Sequence, residues 1–494
     1  VSQYKSLIQI CDAAIRAGKP HEAGRRISLL TPSRVPREWR LPLAKICRRA
    51  GVYSFGLRLL QRLALDAGAR KRGLHATADE LTEYAALLLR SGAVDEALER
   101  LVQIEREAGA EALLIRAFAH FARWEYAQAI PFLEKYVQSD LSADALLVGQ
   151  SNLAFARVEC GAFEHAMKLT DENIRRARKK NHFYLENYNH ALRAQIYLQE
   201  HNLKFAREEV NLALRRFEGW RTNTHFFATK LQLILDGLET RSLQPFAELR
   251  KQAAAHQEWH ALREADLYSL KVHFEKQRFL HLYFGSPLVG FRECIVRELG
   301  QAPAETHFLF GAADSPCFDL ASGLIDGHQG LRAGFKSHQL LSILLRDLYQ
   351  PLRLAGLHSA LFQGQQFDLA SSPDRVHQIL RRTRRWLAAS NIPGIIREDH
   401  GFYSLVINGP FSFRIPLESA PMDQFTLQMS ALRRAFERAV LFSAEEIERE
   451  LGISIASAHR LLSTAIELQM IERIGAVKRP KGYRFTVSAN EKVA

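Results

Sequence analysis

SSPDRVHQILRRTRRWLAASNIPGIIREDHGFYSLVI, residues 371–407, divides into two parts. In the first, Val376, Ile379, Leu380, Thr383 and Leu387 recur at helical spacing, so one stripe faces a core. Arg375, Arg382 and Arg385, with His377 or Gln378, fall on the outward side. Ser371 or Ser372 is placed to cap the start, Pro373 suits the first turn, and Asp374 lies where the helix dipole favours an anion. In the second part, IIREDHGFYSL alternates around Gly401, the pattern of a hairpin. A helix face with four or five guanidiniums and one carboxylate suits phosphate neutralisation and hydrogen bonding to guanine edges. A hairpin beside it brings Arg397 or His400 within reach of a minor groove.

Upstream, CFDLASGLI (317–325) alternates and ends in turn residues, which predicts a strand. FKSHQLLSILLRDL (335–348) and PLRLAGLHSALF (351–362) repeat apolar residues at helical spacing, the second with Pro at a first-turn position. Strand, helix, helix, basic helix and GFY hairpin, over about 316–407, resemble the response-regulator winged helix of the OmpR family. FDLASG, HQLLSILL, LAGLHSALF, DRVHQILRRTRRWL and HGFYSL carry that resemblance. It implies Arg375, Gln378, Arg381, Arg382 and Arg385 as recognition-helix residues, and Gly401 and Tyr403 as shaping the wing. The chain departs from the family in its long loop QGQQFDLASSP. It also shows no receiver domain and no acidic cluster around a phosphorylatable Asp.

A second unit begins near Gln424. QFTLQMSALRRAFERAV is helical. Ser443 with Glu446 makes a capping box for AEEIEREL, which Gly452 closes. Ser454 then opens a helix whose exposed front carries Ser457, His459, Arg460 and Ser463. IERIGAVKRPKGYRFTV reads as a hairpin with Lys478, Arg479, Lys481 and Arg484 in and around its tip. GISIASAHRLL, MIERIG and GYRF together look similar to the helix-turn-helix of small winged-helix regulators of the IclR or MarR type. That likeness implies that the long helix reads bases from its N-terminal end while the basic wing grips phosphates.

Residues 1–285 read as stacked helix pairs. A turn followed by a small residue recurs at Ala23, Gly56, Ala97, Ala129, Ala166 and Ala206, at intervals of 33, 41, 32, 37 and 40 residues. A period of that size predicts a solenoid. The small residue lets the second helix of a pair cross the first at short range. The pattern resembles the tetratricopeptide repeat family most clearly over 112–180, with Ala129, Leu133 and Tyr136 on its second-helix positions, though the period is irregular and the usual terminal Pro is missing. Such solenoids present a concave groove to peptides or helices of partners. Phe183, Tyr184, Tyr188 and Tyr197 either line that groove or belong to the core. The run Arg175, Arg176, Arg178, Lys179, Lys180 is a solvated helix end or a phosphate contact.

The expected fold class is mainly α: an N-terminal solenoid over 1–285, a connector 286–313, a winged-helix domain 314–408, a linker 409–423 and a second winged helix 424–488. Net charge is +13. Residues 1–75 hold sixteen Lys/Arg against Asp12, Glu22, Glu38 and Asp66, a surplus that attracts polyanions or an acidic partner. Residues 314–494 carry 22 Lys/Arg against 18 Asp/Glu, only +4, but the basic side chains gather on the third helix and the second wing. Cys11, Cys47, Cys160, Cys294 and Cys317 are scattered and odd in number, which speaks against a disulfide frame or zinc ribbon and for buried thiols in a reducing cytoplasm. No apolar run reaches the roughly 18 residues a membrane span needs, and nothing near Val1 has the pattern of a secretory signal.

No nucleotide-binding or hydrolase motif occurs: GLIDGHQG (323–330) lacks the Lys-Ser/Thr ending that grips phosphate. His307 with Cys317, or Asp319 with Asp326 and His328, fit no common metal spacing. Glu398 and Asp399 lie beside the wing as solvated carboxylates. The expectation is a cytoplasmic, non-enzymatic transcriptional regulator without cofactor or metal. It binds double-stranded DNA through two winged helices and a protein or peptide through the solenoid groove, with no membrane contact and a homodimer possible. The alternative is an adaptor whose winged helices dock proteins, and a third reading makes the basic solenoid a nucleic-acid track.

Overall fold

The computed structural model describes residues 2–65, 75–105, 109–215, 223–328, 330–417, 424–436, 441–451, 453–476 and 479–486. The first part is a run of helix pairs. Ser2–Arg16 pairs with Pro20–Ser28, Arg37–Ala50 with Tyr53–Leu65, Ala78–Arg90 with Val94–Gln103, and Ala110–Ala122 with Tyr126–Val137. Ala143–Glu159 then pairs with Phe163–Lys179, Phe183–Gln199 with Leu203–Leu214, Asn223–Thr240 with Gln244–His256, and Trp259–Val272 with Lys276–Phe284. The expected small residues sit on second helices, where Ala23, Ala97, Ala129, Ala166 and Ala206 are fully buried. At Gly56 an added Cβ would meet the Leu87 side chain at 2.9 Å. The Asn223–Thr240 pair inverts the device: Gly237, on its first helix, receives the Phe246 ring of its second, 2.3 Å from where a Cβ would stand.

The solenoid leads into helix Val289–Leu299 and then β1 (His307–Gly311) and β2 (Cys317–Asp319). Helix Lys336–Arg346, β3 (Leu352–Arg353), helix Leu354–Leu361, helix Ser372–Ala389, β4 (Gly394–Asp399), β5 (Phe402–Ile407) and β6 (Ser412–Pro416) follow. One sheet has the order β1-β6-β2, with β6 antiparallel to β1 and parallel to β2. The other has the order β3-β5-β4. Three sequence expectations change here. HFLF, placed in the connector, is β1, and its Phe308 is buried. β6 lies in the segment expected to be a linker, yet its Phe413 and Ile415 are fully buried. The Pro351 segment does not open a helix: Leu352 and Arg353 extend and pair with Tyr403 and Phe402 before the helix begins.

The expected connector holds a helix, Val289–Leu299, and packs into the core. Phe291 and Ile295 of helix Val289–Leu299 belong to one apolar core that runs from Trp124 and Tyr126 through Phe284 to Phe318, Leu380 and Ile415. Polar bonds reinforce the seam between the solenoid and the first small unit. Fully buried Arg263 pairs with Asp347, and Tyr349 donates to Asp266. The Phe367 amide donates to Glu96 at 2.9 Å, and Gln61 bonds Asp368.

The second unit comprises helices Gln424–Phe436, Ala444–Leu451 and Ile455–Glu467, then β7 (Ile471–Ala476) and β8 (Arg479–Phe485). The Ser443–Glu446 box forms in both directions, at 2.7 and 3.2 Å; Gly452 lies outside the described residues. Phe442 and Tyr483 exchange backbone bonds of 3.0 and 2.8 Å, so a short extended segment pairs with the second hairpin strand, as β3 does with β5. Its core, built from Leu432, Phe442, Ile447, Leu461 and Tyr483, is separate.

Candidate nucleic-acid interface

Helix Ser372–Ala389 buries Val376, Ile379, Leu380, Thr383 and Leu387, the stripe read from the sequence. Neither Ser371 nor Ser372 caps its own helix. Ser372 Oγ instead accepts from the Asp368 amide and lies 3.0 Å from His358 Nε2. Gln378, Arg381, Arg382, Arg384 and Arg385 are exposed. Arg375 is half-buried, with its guanidinium 3.9 Å above the Phe362 ring. Stacking of that kind holds the planar group in place and removes it from free solvent.

Arg384 was not among the expected site residues, and it has a distinct task. Its Nε and Nη2 both donate to the Ile396 carbonyl, at 3.2 and 2.8 Å, fastening the helix to β4. The RRTRR run puts an arginine on each side of buried Thr383, but nothing local marks which one reaches the hairpin.

The hairpin turns through His400 and Gly401, both with positive φ (49° and 80°), as a two-residue turn between right-twisted strands requires. Arg397 and His400 are exposed at the tip, each beside Asp399, at 3.9 and 3.7 Å. Glu398 accepts from the Gly401 amide. The tip therefore carries both signs. Behind it, Phe402 packs edge-on against Trp259 of the solenoid at 5.7 Å, with the Arg353 guanidinium 4.0 Å from the Phe402 ring. Tyr403 is buried, its hydroxyl 3.3 Å from His377 Nε2. The tip end of the wing thus rests on the solenoid, which sequence periodicity does not reveal.

In the second unit, His459 and Arg460 are exposed. The Ser457 amide donates to Ser454 Oγ, which caps the helix, and the Ser457 hydroxyl accepts from Arg460 at 3.1 Å. Arg484 is exposed and paired with Glu472. Lys478 lies outside the described residues, as do the side chains of Arg479 and Lys481, whose backbone forms β8. Arg332 donates to the Leu451 carbonyl at 3.4 Å, and a space of about 530 Å³ lies between Arg382, Phe335 and Phe425. Arg382 therefore borders both units.

The basic N-terminal segment is partly neutralised within the solenoid. Arg37 pairs with Glu80, Arg48 with Glu83, Lys45 with Glu111 and Arg49 with Asp12. The 175–180 run is an exposed helix end whose Arg176, Arg178 and Lys180 meet Glu172, Glu186 and Asp144. Phe183 and Tyr184 are exposed, while Tyr188 and Tyr197 are half-buried. Cys11 and Cys47 are buried as expected, but Cys160 is exposed and Cys294 and Cys317 are intermediate. Among the described residues no group of three or more His, Cys, Asp or Glu is placed to hold a metal ion, and no helix is long and apolar enough to cross a membrane.

No family model matches the chain, and no curated protein matches it. Solved structures do. The apo form of RapI is similar at 12% identity over 57% of this chain and 85% of that one, with a TM-score of 0.39. A tetratricopeptide repeat protein from Parabacteroides merdae is similar at 14% identity over 61% and 100% of the two chains, with a TM-score of 0.32. At these TM-scores neither likeness bears on what the chain does.

Proposed function

We propose that the chain is a cytoplasmic, non-enzymatic transcriptional regulator that binds double-stranded DNA through two tandem winged helices, with the helical repeats as sensor and protein-interaction scaffold. The observation that carries this reading is the exposed row Gln378, Arg381, Arg382 and Arg385 over a sealed apolar stripe. It is supported by the element order that the two small units share: helix, short strand, helix, helix, hairpin, with the short strand paired to the second hairpin strand in each. Guanidiniums on such a helix neutralise phosphates and bond base edges. Arg384 acts beneath them as a positioning residue.

The deciding experiment is a duplex-binding titration in increasing salt, comparing the chain with Arg382→Ala plus Arg385→Ala. Loss of two phosphate contacts lowers the salt slope by about 2. An unchanged affinity and slope at low salt would refute this role for the helix.

The second reading is a protein adaptor. The Phe402–Trp259 contact favours it, since that wing face is already engaged by the solenoid. Elution from heparin at low salt, with no shift of random duplex, selects the adaptor.

A further inference from the structure

Helices Ala110–Ala122, Ala143–Glu159, Phe183–Gln199, Asn223–Thr240 and Trp259–Val272 contribute to a cavity of about 320 Å³ in the solenoid. Its lining is aromatic. Tyr126 meets Phe155 edge-on at 5.5 Å and Trp124 at 5.3 Å, and Tyr188 leans on Phe227 at 5.7 Å. Trp124 reaches it from a left-handed backbone (φ 61°), at a helix-pair turn where other pairs place Gly18, Gly51, Gly92 or Gly161, or His201 and Arg241. A bulky residue in that conformation costs roughly 1–2 kcal/mol. Here the strained turn delivers an indole to the cavity wall.

The polar lining is short of positive charge. Glu159, Glu258 and Glu264 reach the cavity, and Lys230 faces them. Lys230 is committed to Glu264 by bonds of 2.7 Å to both oxygens, with its ammonium 4.9 Å from the Phe227 ring centre. Glu159 accepts from Gln195 at 2.5 Å. Among the described residues neither Glu159 nor Glu258 stands in an ion pair. Arg297, the other cation acting on Glu159, is turned to Glu298 and to the Cys294 sulfur. Burial holds His260 neutral, down at about 3, so it adds no charge near pH 7. Burial also raises both of these carboxyls, Glu159 to about 7.

We propose that this cavity binds the head of a substituted ammonium ion, with the ring faces and Glu159 and Glu258 supplying the attraction. Aromatic faces draw cations by their quadrupole. Partial burial raises the cost of a carboxylate charge that stands outside any ion pair, and a bound cation offsets that cost. An anionic ligand would meet an aromatic lining and two carboxyls that stand outside any ion pair. Trp124, Tyr126 and Glu159 also border a larger space of about 920 Å³ beside helix Val289–Leu299. The ammonium therefore sits in the small cavity while its remainder, the tail of a free amine or the backbone of a lysine-bearing peptide, extends into the larger one. This goes beyond DNA contact and does not depend on it.

Calorimetric titration of the full chain with choline, with choline's uncharged carbon isostere and with a capped trimethyllysine peptide tests the proposal. At least one of the two cations is expected to bind about tenfold or more tighter than the isostere. Glu159→Gln is expected to erase most of that preference, with its unfolding midpoint showing that the variant is folded. Binding of choline points to a free amine as the source, and binding of the peptide alone to a protein partner; both support the site. Equal affinity for cation and isostere, or no heat with either cation, overturns it.

Discussion

Arg384 grips the carbonyl oxygen of Ile396 with two donors, so the hairpin is hung from the helix by a side chain that also lies on the basic face. Arg384→Ala leaves that oxygen without its charged partner. Stability is expected to fall by roughly 1–3 kcal/mol, read by urea unfolding, and Arg384→Lys is expected to recover only part of it. An alanine variant as stable as the parent would mean that the contact does not hold the wing.

Arg263 and Asp347 join the solenoid to the first small unit, and Arg263 is fully buried. Removing one member leaves the other, fully buried in the case of Arg263, without its opposite charge. Arg263→Met and Asp347→Asn are each expected to cost about 3–5 kcal/mol, and the double variant less than their sum. A double-mutant cycle by thermal unfolding checks this. Additive losses would mean that the two side chains are not energetically coupled.

Gly237 faces the Phe246 ring at a distance no Cβ tolerates. Gly to Ala within an exposed helix ordinarily stabilises by about 1 kcal/mol. Gly237→Ala is expected to act in the opposite direction, losing roughly 1–3 kcal/mol through overpacking. Phe246→Leu in the same chain is expected to restore part of that loss. A rise in unfolding midpoint for Gly237→Ala alone would contradict the packing described.

Burial, then the charge of Glu264, lifts the Glu159 carboxyl from about 4.5 to about 7. Between those values the native chain keeps a proton that the unfolded chain releases. Stability from this group is therefore whole below the lower value and is lost as pH rises through the upper one. Glu159→Gln is expected to gain on the parent as pH goes from 5 to 8, on the order of 1–3 kcal/mol given the carboxylate's partial exposure. Urea midpoints for both chains across that range decide it. A difference that does not change with pH rules out the shift.

The helix faces were legible because they follow from neighbours in the chain. Val376, Ile379, Leu380, Thr383 and Leu387 declare an inward stripe by spacing alone, and Ala129 or Ala166 declares a close helix crossing by size alone. The Ser443–Glu446 box was legible for the same reason, since its two residues are three apart. Tertiary structure alone decided the rest. β1 and β6 become a sheet only when segments more than a hundred residues apart meet, and neither is long enough to announce itself. The seat of Phe402 on Trp259, the bond from Arg384 to Ile396 and the gathering of Glu159, Glu258 and Trp124 around one cavity are likewise products of the shared core. Periodicity records which side of an element is apolar. Which other element covers that side is set by long-range packing, and no local pattern encodes it.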